Sequence, residues 1–122
     1  MAKSDKKRVR REFRRSVFER ADYRCEYCGT IGSDRQRESG SQLPIRDCYQ
    51  IPNLDAHHIT PREDMPNGGY VAKNGISLCD DCHIKAEEAL KDPESFPQYQ
   101  PDHLYLLINS SHDQAVEASE KL

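Results

Sequence analysis

Between Val9 and Ala21 the apolar residues recur every fourth position, at Val9, Phe13, Val17 and Ala21, with Phe18 alongside. That spacing is one stripe of an α-helix, and Arg10, Arg11, Arg14 and Arg15 fill its other faces. Leu54–Ile59 reads as a short strand closed by Thr60-Pro61, because a residue before proline is held extended. Residues 62–70 are turn-like, with Pro66 and Asn67-Gly68-Gly69 together, and Asn74-Gly75 predicts a second turn. Ile76–Leu78 predicts a second short strand, and His83–Lys91, rich in Ala, Glu and Lys, a helix stopped before Pro93. The order is therefore strand, loop, strand, helix.

Pro93, Pro97 and Pro101 make residues 92–101 an extended connector. Asp102 is a candidate cap for a helix carrying Leu104, Leu107 and Ile108. Ser111 with Gln114 three positions later has the form of a capping box for a last helix, Asp113–Leu122. Leu104, Leu107, Ile108 and Val116 are expected on the core. Residues 30–53 are loop-like, rich in Gly, Ser and Arg, with a short strand expected around Ile45–Tyr49. Residues 1–8 are polar and lysine-rich and are expected to form a disordered basic tail.

At 122 residues the chain is expected to hold one domain, at 9–122. Its apolar content is 35% with no Trp, and 32% of residues are charged, which is lean for a packed core and calls for a staple. No apolar run approaches the roughly 20 residues of a membrane span. The basic N-terminus lacks the apolar centre of a signal peptide, so a cytoplasmic location is expected. The net charge of −3 conceals an asymmetry: residues 1–24 carry ten Lys/Arg against four Asp/Glu, the rest eight against seventeen. A basic arm on an acidic body suits local contact with a polyanion; a merely solvated tail accounts for the charge equally well.

Four of the five cysteines stand in two C-x-x-C pairs, Cys25/Cys28 and Cys79/Cys82, separated by the 50 residues from Gly29 to Leu78. In a cytosolic chain such pairs favour zinc over disulfides. A redox reading of one pair needs a βαβ setting, which the pattern does not supply. Four thiolates close a tetrahedral site with no open position, which holds structure and performs no chemistry. Cys48 is the odd thiol and reads as a small buried hydrophobe or an incidental free cysteine, not a ligand. His57, His58 and His83 remain outside the four-cysteine set.

Asp55-Ala56-His57-His58-Ile59-Thr60-Pro61-Arg62, followed by Asn74-Gly75-Ile76-Ser77-Leu78-Cys79-Asp80-Asp81-Cys82-His83, resembles the HNH endonuclease family in its zinc-stapled, four-cysteine form. The resemblance runs from Cys25 to about Glu87, with residues 30–53 unmatched. It implies a small α+β fold: a ββα-metal (His-Me finger) core at about residues 54–91, a structural four-cysteine zinc site, and flanking helices at the N-terminus and at 102–122. Carried over by position, His57 and His83 are ligands of a catalytic divalent ion, His58 is the general base, and Asn74 holds the loop that positions it. Glu87, one turn after His83 on the same helix face, matches a further ligand position; Asp55 matches an acidic position behind the ligands.

The implied activity is metal-dependent hydrolysis of DNA phosphodiesters, leaving 5′-phosphate and 3′-hydroxyl ends. A neutral imidazole near pH 7 can take a proton from water, and a divalent ion can stabilise the leaving oxygen. Mg²⁺ prefers oxygen ligands and imidazole suits the later transition metals, which leaves Mg²⁺, Mn²⁺, Ni²⁺ and Zn²⁺ all as candidates. Arg62, with Arg11, Arg14 and Arg15, is expected to touch phosphate, with little sequence specificity. A non-catalytic zinc module that binds nucleic acid is the rival reading; it has no need of His57, His58, Asn74 and His83 together. One difficulty is geometric: neighbouring strand residues face opposite sides, so the strand must end or distort where His57 and His58 meet one site.

Overall fold

The two expected strands pair antiparallel, β1 (Leu54–His58) against β2 (Gly75–Cys79), in a register that sets Leu54 opposite Cys79 and His58 opposite Gly75. The computed structural model describes residues 3–34 and 52–122. The strand expected around Ile45–Tyr49, and Cys48, lie outside the described residues. Four α-helices accompany the sheet among the described residues: α1 (Lys3–Ala21), α2 (Asp80–Lys91), α3 (Pro101–Leu107) and α4 (His112–Glu120). The fold is small α+β with a two-stranded antiparallel sheet, consistent with a ββα-metal core.

β2 is buried along its whole length, because α1 and α2 both pack on it. α1 contributes Phe13, Val17, Phe18 and Ala21 to the core, the stripe read from the sequence. It begins at Lys3 rather than near Val9, so the expected tail at 1–8 is helical from Lys3 onward. Lysine and arginine are good helix formers, and extending an existing helix adds one hydrogen bond per residue fixed. α2 begins three residues ahead of the expected His83, at Asp80. Its first turn carries Asp80 and Asp81, favoured beside the positive end of the helix dipole. Cys82, Ala86 and Ala89 form its buried face.

The C-terminal pair departs from expectation in detail. Asp102 does not cap α3; Gln100 precedes the helix and Pro101 opens it. Leu104 and Ile108 are buried, but Leu107 is 42% exposed, and Tyr105 takes the inward position instead. Leu104, Tyr105 and Ile108 share one face of the helical turn, and Leu107, within the helix, falls to the side of it. α4 is capped as expected, with the Ser111 hydroxyl oxygen accepting the Gln114 N–H at 3.1 Å.

Between the strands, residues 59–74 run through three short 3-10 turns. Asn67, Gly68 and Gly69 all have positive φ there. Gly75 does not: the turn expected at Asn74-Gly75 is the 3-10 turn Ala72–Asn74, closed by the Gly75 N–H donating to the Ala72 carbonyl, and Gly75 itself, at φ −123°, is the extended start of β2. The glycine is required for another reason. A Cβ on Gly75 would stand 2.6 Å from atoms of Phe13 and Val17, so only glycine lets α1 approach the sheet this closely. No helix among the described residues is long and apolar enough to cross a membrane.

Gly75→Ala is accordingly expected to destabilise the protein by about 1–3 kcal/mol through overpacking. Urea unfolding checks this; an unchanged midpoint would mean α1 sits further from β2.

Candidate active site and metal centres

The Sγ atoms of Cys25, Cys28, Cys79 and Cys82 all lie within 4.8 Å of one another, and those of Cys28 and Cys79 are 3.8 Å apart. Four sulfurs about 2.3 Å from a tetrahedral zinc stand about 3.8 Å from each other, so the cluster has the size a zinc ion needs. The first pair arrives on a tight turn in which the Gly29 N–H donates to the Cys25 carbonyl at 2.9 Å, with Gly29 at φ +84°. The second pair arrives on the junction of β2 and α2: Cys79 ends the strand and Cys82 sits in the first turn of the helix.

Burial pushes the Cys79 and Cys82 thiols up. Burial acts the same way on Cys25, but the backbone N–H groups of Cys28, Cys79 and Tyr27 outweigh it and bring its thiol below the ordinary value. Buried sulfurs gathered this closely become thiolates only beside a cation. Around them, Tyr27 and Tyr99 stack with centroids 4.0 Å apart, and the Tyr99 hydroxyl donates to Cys82 Sγ at 3.6 Å. The knuckle is also sewn to the sheet. Glu26 donates its N–H to the Ser77 carbonyl (2.7 Å) and accepts the Ser77 N–H on its carboxylate (2.9 Å). Arg20 grips that carboxylate through two nitrogens, at 2.6 and 3.0 Å.

The histidines form a separate cluster. His57 on β1 and His83 on α2 have ring centroids 5.2 Å apart, and ligand atoms of His57, His83 and Glu87 all lie within 4.8 Å of one another. Glu87 Oε1 is 3.0 Å from His83 Nε2 and 3.8 Å from His57 Nδ1. Asp55 lies on the far side of His83, its carboxylate 3.2 Å from His83 Nδ1. That is the carboxylate–imidazole pairing that orients a ligating histidine. The Asp55 hydrogen bond raises the His83 pKa, against burial and with Glu87 assisting. His57 is held down at about 3, by burial first and then by the neighbouring His83 and His58. Its buried Nε2 has no hydrogen-bond partner among the described residues. A neutral imidazole with an unused lone pair, a second imidazole and a carboxylate together make a donor set that a divalent cation fits.

His58 lines the same cleft, about 440 Å³ in volume, with His57, Arg62, His83 and Glu87. The geometric difficulty is met by β1 ending at His58. His57 turns toward α2. His58 turns toward α1, where its ring rests between Phe13 (centroids 4.6 Å) and Tyr70 (4.7 Å, edge-on). Both still border the opening. Burial, with Arg62 adding to it, brings the His58 imidazole down to about 4. Its Nε2 is also enclosed without a partner among the described residues.

Asn74 is fully buried and holds the loop from within. Its side chain accepts the Thr60 N–H (3.0 Å) and donates to the Thr60 and Gly69 carbonyls (3.1 and 3.2 Å). Its own carbonyl accepts the Ile59 N–H at 2.9 Å. These bonds fix the two residues after His58. Tyr105 of α3 completes the set, donating to Asn74 Oδ1 and meeting the Thr60 hydroxyl, both at 2.6 Å. Ser119 of α4 accepts the Gly69 N–H at 3.0 Å, donates to the Pro66 carbonyl, and offers its own carbonyl to Asn67.

Tyr70, Tyr105 and Ser119 were not singled out from the sequence. Single polar residues far along the chain carry no spacing that ties them to a loop. The arginines separate into two groups. Arg14 is committed to Asp34 through a bidentate pair at 2.6 and 2.7 Å, and Arg15 lies between Glu12 and Glu19. Arg11 is exposed, away from the histidine cleft. Arg62 stands at the cleft and donates to the Tyr70 hydroxyl at 2.9 Å.

A family model described as HNH endonuclease matches residues 25–88, which is 64 of the 122 residues. No curated protein and no solved structure matches the chain.

Structural zinc sites contribute about 10–16 kcal/mol, more than the roughly 5–15 kcal/mol by which whole domains are stable. Cys79→Ser is therefore expected to lose both zinc and cooperative unfolding, read by metal analysis and thermal melting. A zinc-free variant that still melts cooperatively would contradict the staple.

Proposed function

The chain belongs to the HNH endonuclease family, and we propose that it is a metal-dependent endonuclease that hydrolyses DNA phosphodiester bonds. The observation that carries the reading is the convergence of His57, His83 and Glu87 on one point of a cleft that His58 also lines. His57, His83 and Glu87 would hold the divalent ion, with Asp55 keeping the His83 ring oriented. Such an ion, when bound, offsets charge developing on the phosphate and on the departing 3′-oxygen; Mg²⁺, Mn²⁺, Ni²⁺ and Zn²⁺ remain the candidates.

His58 is the general base. A pKa of about 4 keeps it neutral at physiological pH, at the cost of some basicity. With Nε2 enclosed, Nδ1 is the nitrogen that takes the proton of the attacking water. The water oxygen bonds to phosphorus, the P–O3′ bond breaks, and the departing 3′-oxygen takes a proton from solvent, leaving a 5′-phosphate and a 3′-hydroxyl. Phe13 and Tyr70 hold the imidazole plane, and Asn74 with Tyr105 holds the backbone immediately beyond it. Arg62 supplies positive charge at the mouth of the cleft. Cys25, Cys28, Cys79 and Cys82 hold the structural zinc and take no part in the chemistry. Because those thiols must stay reduced, a cytoplasmic setting suits the enzyme.

A zinc module that only binds nucleic acid would need the four cysteines. It gives no reason for two neutral imidazoles, each with an unpartnered buried nitrogen among the described residues, beside a carboxylate in an open cleft. His58→Ala is expected to keep zinc content and melting temperature while lowering plasmid nicking by a factor of about 10² or more. A variant that nicks at the wild-type rate would remove His58 as the base. Wild-type protein that binds DNA but cuts it with none of these divalent metals would return the chain to the binding-module reading.

A further inference from the structure

On the nuclease reading above, we propose that the bound DNA strand leaves the cleft across Tyr70 and lies along a basic groove on the first turns of α1, gripped by Lys6 and Arg10. The sequence pointed to Arg11, Arg14 and Arg15, but Arg14 and Arg15 already neutralise Asp34, Glu12 and Glu19. Lys6 and Arg10 differ. They line a groove of about 270 Å³ with Val9, Asn67 and Tyr70, and among the described residues neither pairs with a carboxylate.

This groove adjoins the histidine cleft. Tyr70 is the wall between them: its ring lines the groove, touches His58 edge-on at 4.7 Å, and carries the Arg10 guanidinium 5.5 Å from its centroid. Its hydroxyl receives the Arg62 bond from the cleft side. Three cations, Arg62, Arg10 and Lys6, are thus strung along one path that begins beside the proposed base. Along one strand of B-form DNA, nucleotides rise about 3.4 Å each. A phosphate two or three nucleotides from the cut therefore comes to the level of Tyr70 and Arg10.

Tyr70 is itself held in place from the other side. The Asn67-Gly68-Gly69 turn brings it round, and a Cβ on Gly68 would press to 3.0 Å of the Tyr70 ring. Ser119 of α4 pins that turn at Gly69 and Asn67. The C-terminal helix thereby sets the wall that the strand would cross, and the groove is a built surface rather than a chance gathering of lysine and arginine.

The test is binding of a short fluorescent DNA duplex by the full chain across a salt series, with nicking measured in parallel. Lys6→Ala/Arg10→Ala is expected to flatten the slope of log affinity against log salt by about two, at about 0.9 per phosphate contact. Low-salt affinity should fall at least about tenfold, with zinc content intact. Arg10→Lys should keep the slope, since the charge remains, and Arg15→Ala should leave both slope and nicking unchanged. A double variant with the wild-type slope overturns the groove while leaving the nuclease reading in place. A wild-type protein that neither binds nor cuts DNA overturns both.

Discussion

Four sulfurs within reach of one another, all but that of Cys28 buried, set the terms for everything else in this chain. As thiolates they repel, and burial alone would keep Cys79 and Cys82 protonated. A zinc ion, with which the cluster is compatible, would turn that cost into a large stabilising contribution. The consequence is positional as well as energetic. Cys79 ends β2 and Cys82 lies in the first turn of α2, so drawing them together fixes where the helix starts and how it is rotated. His83 is the next residue, and Glu87 follows one turn later. The cluster that holds the fold therefore also aims the two α2 side chains that face His57.

The second cluster depends on the loop between the strands. Residues 59–74 have little regular hydrogen bonding of their own, and their order is imported. Asn74 binds Thr60 and Gly69 from inside, Tyr105 binds Asn74, and Ser119 binds Pro66 and Gly69. This gives the C-terminal helices a purpose that their apolar stripes alone do not suggest. They press a polar network against the loop, and the loop carries the Tyr70 ring that borders His58. Buried networks of this kind favour a single arrangement when every member is satisfied.

Much of this was legible in the sequence because it rests on short-range spacing. The C-x-x-C pairs, the period-four stripe of α1, the His57-His58 pair before Thr60-Pro61 and the Ser111 cap each put their signal within a few residues, and each has its counterpart in the fold. What was missed depends on partners far apart. Gly75 looked like a turn residue, whereas its need for glycine comes from Phe13 and Val17, some sixty positions away. Leu107 fitted an apolar stripe, but the buried face of α3 runs through Leu104, Tyr105 and Ile108 instead. Arg14 looked free for phosphate, and only the structure sets Asp34 beside it; Glu12 and Glu19, the partners of Arg15, stand in plain helical register and were within reach of the sequence.

The most direct measurement is anomalous diffraction from crystals of the protein soaked in Mn²⁺, with data collected at the zinc edge and at longer wavelength. The account predicts a zinc peak enclosed by Cys25, Cys28, Cys79 and Cys82, and a separate manganese peak bounded by His57, His83 and Glu87. Disulfide-bonded cysteines with no zinc signal, or manganese bound away from the histidines, would contradict it.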